Sequence, residues 1–153
     1  MAPTEITRPP AVAESLRRWH AMIAARDLSG LPALVHPQAV FRSPMAHKPY
    51  PGRDAVLLIL RTVFGVFENF TYHRELASDD GLSVVLEFSA EVGGRQLKGI
   101  DLVRFDEQGL IRDFEVMVRP MSGLQALGEE MARRVGDKLP ALQAAGPAGA
   151  GPG

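Results

Sequence analysis

A lone carboxylate set in an apolar row is the most pointed chemical feature of this sequence. Across residues 97–120, strand alternation puts Leu97, Gly99, Asp101, Val103 and Phe105 on one face, and Lys98, Ile100, Leu102 and Arg104 on the other. A second strand offers an unbroken apolar row of Phe114, Val116 and Val118. If these rows meet on one concave side, Asp101 is desolvated, its neutral form is favoured, and it becomes a hydrogen-bond donor rather than a base. The plainer alternative is a structural acid satisfied by a neighbouring side chain or a water. Four histidines accompany it, His20, His36, His47 and His73, with no HxxxH-type spacing, so no metal site is expected. Of these, His20, His36 and His47 are the neutral-pH bases expected to reach Asp101, against the alternative that each is structural or solvated. Ser43 has no adjacent His–Asp pair and reads as polar lining, not as a nucleophile.

Asp101 needs a sheet around it, and the flanking residues supply one. Gly93-Gly94 tolerates positive φ at both positions and signals a two-residue hairpin. A turn there sets Phe88 opposite Gly99 and Leu86 opposite Asp101, within a strand over 83–92. Asp106-Glu107-Gln108-Gly109 turns the chain into the strand carrying Phe114. Further strands are expected at 70–76 and at 39–43, the latter ended by Pro44. Val12, Leu16, Trp19 and Ile23 recur at helical spacing, as do Val56, Ile59, Leu60, Val63, Phe64 and Phe67, and then Leu124, Leu127, Met131 and Val135. A short helix at 31–35 stops at His36-Pro37. Residues 44–53, with three prolines and a glycine, form a loop that is either a lid bearing His47 and Tyr50 or an ordinary solvent loop. Helices first and a curved antiparallel sheet afterwards make an α+β architecture. The folded domain spans 12–139, with a flexible arm at 1–11 and a disordered Ala/Gly/Pro-rich tail at 140–153.

The totals exclude several classes. At 46% hydrophobic, 153 residues can bury a core of one domain. The 17 basic and 18 acidic residues are dispersed, so neither nucleic acid nor an anionic membrane is an expected partner. No cysteine means no disulfide and no thiolate chemistry, which fits a cytoplasmic location. The start, MAPTEITRPP, lacks the basic and apolar regions of a signal peptide, and no run approaches a membrane span.

Trp19, the triplet Arg26-Asp27-Leu28, AVFRSP at 39–44, Gly52 and GIDLVRFDEQGLI at 99–111 together resemble the nuclear transport factor 2-like superfamily, and within it the SnoaL-like proteins, ketosteroid isomerases and limonene epoxide hydrolases. The resemblance covers about 12–135. It implies a cone whose helices cover a concave sheet and leave an apolar pocket. It places Asp101 on the isomerase aspartate that an apolar site keeps protonated and that hydrogen-bonds the developing enolate. The isomerase's general-base aspartate falls on Ser43 and its oxyanion tyrosine on Trp19, while the late-strand aspartate of hydrolases and cyclases falls near Val116. No known catalytic set is complete.

The expected site is therefore Asp101 as the catalytic acid, in a pocket lined by Trp19, His20, Phe41, Ser43, Leu60, Leu86, Phe88, Gly99, Phe114, Val116 and Val118. The expected ligand is a small hydrophobic carbonyl compound, handled by isomerase, cyclase or hydrolase chemistry without a cofactor. The alternative is a non-catalytic ligand-binding or dimerisation module of the same fold. Val85, Ile100, Leu102 and Met117 on the opposite sheet face suit a homodimer.

Overall fold

The computed structural model describes residues 8–145. Helix α1 (Pro10–Ala25) begins at a proline, whose missing N–H costs nothing in the first turn, and is followed by a 3-10 turn (Leu31–Leu34). Strands β1 (Val35–Arg42) and β2 (Tyr50–Pro51) precede helix α2 (Arg53–Val66). Strands β3 (Glu68–Ala77), β4 (Ser83–Val92), β5 (Arg95–Phe105) and β6 (Ile111–Arg119) follow, and helices α3 (Met121–Val135) and α4 (Leu139–Ala145) end the described chain.

The six strands form one curved, open sheet in the order β2-β1-β6-β5-β4-β3. It is mixed rather than wholly antiparallel, because β1 lies parallel to β6. A parallel neighbour needs a long crossover, and everything from β2 to β5 provides it. β1 also starts earlier than 39. Pro37 is tolerated inside it because the β1–β6 register shifts between Val35 and Val40.

The hairpin at Gly93-Gly94 forms with both residues at positive φ (55° and 81°), and it pairs Leu86 with Asp101 and Phe88 with Gly99. Alternation in β5 is complete: Leu97, Gly99, Asp101, Val103 and Phe105 are buried. Val12, Leu16 and Trp19 of α1, with Val56, Ile59, Leu60 and Val63 of α2, cover that concave face. Ser15 pins α1 to the β5–β6 turn by donating to the Gly109 carbonyl at 2.6 Å. At Gly99 any side chain would strike the Met117 carbonyl (2.5 Å) and the Phe88 ring (2.7 Å).

The two ends of the domain extend further than expected. Pro10 and Ala11 are already helical, and Arg8 pairs with Glu75 at 2.7 Å. Residues 140–145 are not an uncommitted tail but most of α4, whose Leu139 and Leu142 pack on the core. The Gln143 amide donates to the Lys48 carbonyl at 2.9 Å and ties α4 to the 44–50 segment. The rest of the expected arm and tail, 1–7 and 146–153, lies outside the described residues. Among the described residues no helix is long and apolar enough to cross a membrane.

Candidate active site

Asp101 opens onto a cavity of about 250 Å³. Phe41, Ser43, Leu60, Phe114 and Val116 line it together with Asp101. More of the wall comes from Met45, Ala46 and Tyr50 of the proline-rich segment, from Val63, Phe64 and Phe67 at the end of α2, and from Leu127, Met131 and Leu139 of α3 and α4. Tyr50 is 6% exposed, so this segment is part of the cavity and not a solvent loop at that position; burial raises the Tyr50 pKa.

Asp101 is 3% exposed, and its carboxyl is held from one side. Tyr72 Oη donates to Asp101 Oδ2 at 2.7 Å, and Trp19 Nε1 donates to Tyr72 Oη at 3.0 Å. An indole N–H can only donate, so the Tyr72 oxygen accepts from Trp19 and its own proton is left to donate to Asp101. Oδ1 has no hydrogen-bond partner among the described residues, and no fully enclosed side-chain oxygen is left unpaired there. Oδ1 is thus the atom the carboxyl shows to the cavity. Burial pushes Asp101 up to about 7, with the Tyr72 hydrogen bond pulling modestly the other way. Tyr72 is itself pushed well above its usual range, first by burial and then by the neighbouring carboxylate.

Tyr72 escapes a sequence reading for a definite reason. From the 78–83 turn the pairs run Ala77–Val84, Leu76–Val85 and Glu75–Leu86, and uninterrupted pairing would set Tyr72 opposite the outward Ser89. An extra residue in β3 between Tyr72 and Glu75 shifts the register, so Tyr72 faces Phe88 instead. Such a bulge re-aims every side chain beyond it. The available signal was slight: Tyr72 shares Phe70's face, and a phenol in an apolar row needs a polar partner.

The other expected lining residues lie off the cavity wall. Phe88 stacks on Phe70 (centroids 5.0 Å apart) and packs on Phe67, filling that end of the concave face with solid core, against which Gly99 also closes. Leu86 is buried beside Asp101 in the pairing, Val118 is half-buried on β6, and Trp19 packs on Phe64 and Phe114 behind Tyr72. None of the expected histidine bases faces Asp101. His20 pairs with Glu75 at 2.8 Å and meets only the edge of Tyr72. His36 contacts Arg112 at 2.9 Å, and His47 is exposed.

A model of the SnoaL-like domain matches residues 16–114. No curated protein matches the chain. Among solved structures, a steroid delta-isomerase from Pseudomonas aeruginosa is 65% identical, with a TM-score of 0.84 over 89% of this chain and 99% of that one. A Silicibacter pomeroyi DSS-3 protein with a cystatin-like fold is 35% identical, with a TM-score of 0.75 over 84% and 90%. An NTF2-like protein from Mesorhizobium loti shares the fold at 18% identity, with a TM-score of 0.65 over 78% and 98%.

Proposed function

The chain belongs to the SnoaL-like domain family, and from that premise we propose an isomerase- or cyclase-type enzyme acting on a small hydrophobic carbonyl compound. The observation that carries this reading is the free Oδ1 of Asp101 on an otherwise mostly apolar wall. With Oδ2 accepting from Tyr72, the proton of the neutral acid sits on Oδ1 and faces the ligand. A ketone oxygen placed there receives one hydrogen bond in the ground state. That bond strengthens as the carbonyl becomes an enolate, because the donor is fixed beforehand in a site with little water. The 65% identity with a steroid delta-isomerase supports the isomerase-type chemistry, while a cavity of about 250 Å³ favours a ligand at the small end of the usual pocket range.

One observation favours a second reading, a binding module without turnover. Asp101 is the only carboxyl on the cavity wall among the described residues, no histidine joins it, and the hydroxyls of Ser43 and Tyr50 are poor bases. Incubation with a panel of cyclic ketones and enones in D₂O, followed by proton NMR, separates the two. The enzyme reading expects exchange of hydrogen α to the carbonyl with wild type and exchange slowed by about a hundredfold or more with Asp101→Leu. Ligand retained in native mass spectrometry without exchange decides for the binding module.

We further propose that the protein works as a cytoplasmic homodimer through the outer face of β4, β5 and β6. Val85, Ile100, Leu102 and Met117 form its apolar centre, Met117 being 45% exposed, and Arg74, Glu87 and Lys98 form an ion cluster beside it. Sedimentation of Ile100→Lys should give monomers from a dimeric wild type; a monomeric wild type at micromolar concentration would sink this assembly.

A further inference from the structure

A second hollow, of about 400 Å³, lies among the end of α1, the residues that follow it, α2 and the start of β3. Its floor is apolar: Met22, Ile23, Leu28, Phe64, Phe67 and Phe70. Five of these six side chains stay partly exposed, so large apolar groups gather around one unfilled space rather than scattering over the surface. Two guanidinium groups, Arg26 and Arg61, stand at the same hollow. Both are exposed, and neither has a carboxylate partner among the described residues, so both guanidinium groups are available to an anion at the hollow. The acid next in sequence to Arg26 is occupied elsewhere, since Asp27 accepts from the Ser29 N–H at 3.0 Å.

Arg26 also sits in an unusual backbone state. It caps α1 with φ 55° and ψ 38°, a left-handed position normally given to glycine or asparagine. A bulky cation thus stands beside the hollow at a position where a small residue would be easier. The plain alternative is two solvated arginines over a dent in the surface; the coincidence of an aromatic floor, two unpaired cations and a strained cap argues against it.

We propose that this hollow binds a small amphipathic carboxylate, its apolar part on the phenylalanine floor and its carboxylate held by Arg26 and Arg61. Guanidinium donors suit a carboxylate because their fixed N–H fork can meet both oxygens. Phe64 and Phe67 line this hollow and also the cavity of Asp101, so the two sites share a wall.

The test uses the full chain, titrated with octanoate and with its uncharged analogue octanol, followed through backbone amide and arginine side-chain N–H NMR signals. Octanoate should bind at least about tenfold more tightly than octanol, as one charge-assisted contact implies. It should shift the Arg26 and Arg61 signals and weaken as salt is raised. Arg26→Gly, which suits the left-handed backbone, combined with Arg61→Gln should remove that advantage and leave octanol binding unchanged. Equal affinity for octanoate and octanol, an unaltered octanoate affinity in the double variant, or shifts confined to the Asp101 cavity would each overturn the proposal. Asp101→Asn should leave the Arg26 and Arg61 shifts intact, so this site and the Asp101 reading can fail separately.

Discussion

In urea titrations the wild type should lose stability by about 1.4 kcal/mol for each pH unit between about 4 and 7, and Asp101→Asn should lack that slope. The sign follows from the direction of the shift. Asp101 is raised from 3.8 to about 7, so below 3.8 the carboxyl is protonated in both folded and unfolded chains and costs nothing. As pH rises, the unfolded chain ionises first and gains stability relative to the fold. The loss is complete once the folded carboxyl also ionises near 7, and it totals about 4 kcal/mol. Glu14, Asp80 and Glu87 are held down to about 2 by hydrogen bonds, from Arg17 and Arg74 foremost for the two glutamates and from Ser78 for Asp80. Their stabilising contributions vanish as pH falls from about 4.5 toward 2, below the Asp101 window. At pH 8 Asp101→Asn should therefore unfold at higher urea than wild type, and at pH 3 at nearly the same concentration. If Asp101 donates to an oxyanion, any exchange or turnover should also decline above pH 7, and Asp101→Leu should lower it by about a hundredfold or more. A flat wild-type profile between pH 4 and 7 would mean a carboxyl that is solvated or ionised in the fold.

Tyr72→Phe should act on two groups at once. It removes the hydrogen bond that lowers the Asp101 pKa, so the carboxyl should titrate higher than in wild type and the alkaline limit of function should move to higher pH. It also deprives Trp19 Nε1 of its acceptor, and an unpaired buried donor costs about 1–3 kcal/mol. Pairing Tyr72→Phe with Trp19→Phe should recover part of that stability, because no stranded donor remains, while the Asp101 pKa stays high. Carbon-detected NMR titration of the Asp101 carboxyl reads the first effect and urea unfolding the second. An unchanged Asp101 pKa in Tyr72→Phe would show that the hydroxyl does not hold the acid in solution.

What the sequence determines by itself is what short-range geometry controls. Gly93-Gly94 imposes one hairpin, and a hairpin sets register residue by residue, so the Leu86–Asp101 and Phe88–Gly99 pairs follow from the turn alone. Strand alternation then fixes Asp101 on the buried face, and helical spacing marks Leu16, Trp19, Leu60 and Val63 as the residues that cover it. The α+β order is readable for the same reason. Three features depend on packing between distant segments. β1 runs parallel to β6 because its partner is chosen across an intervening run of four strands and a helix. The cavity lies under α3, α4 and the 44–50 segment rather than against Phe88, because Phe70 and Phe88 stack and fill the other end, with Phe67 between the two. Tyr72 reaches Asp101 only because β3 carries one residue more than β4 opposite it, a mismatch that no local periodicity announces. A turn and an alternation are local and leave their pattern in neighbouring residues; a bulge, a crossover and an unfilled volume are settled by residues tens of positions apart competing for the same space.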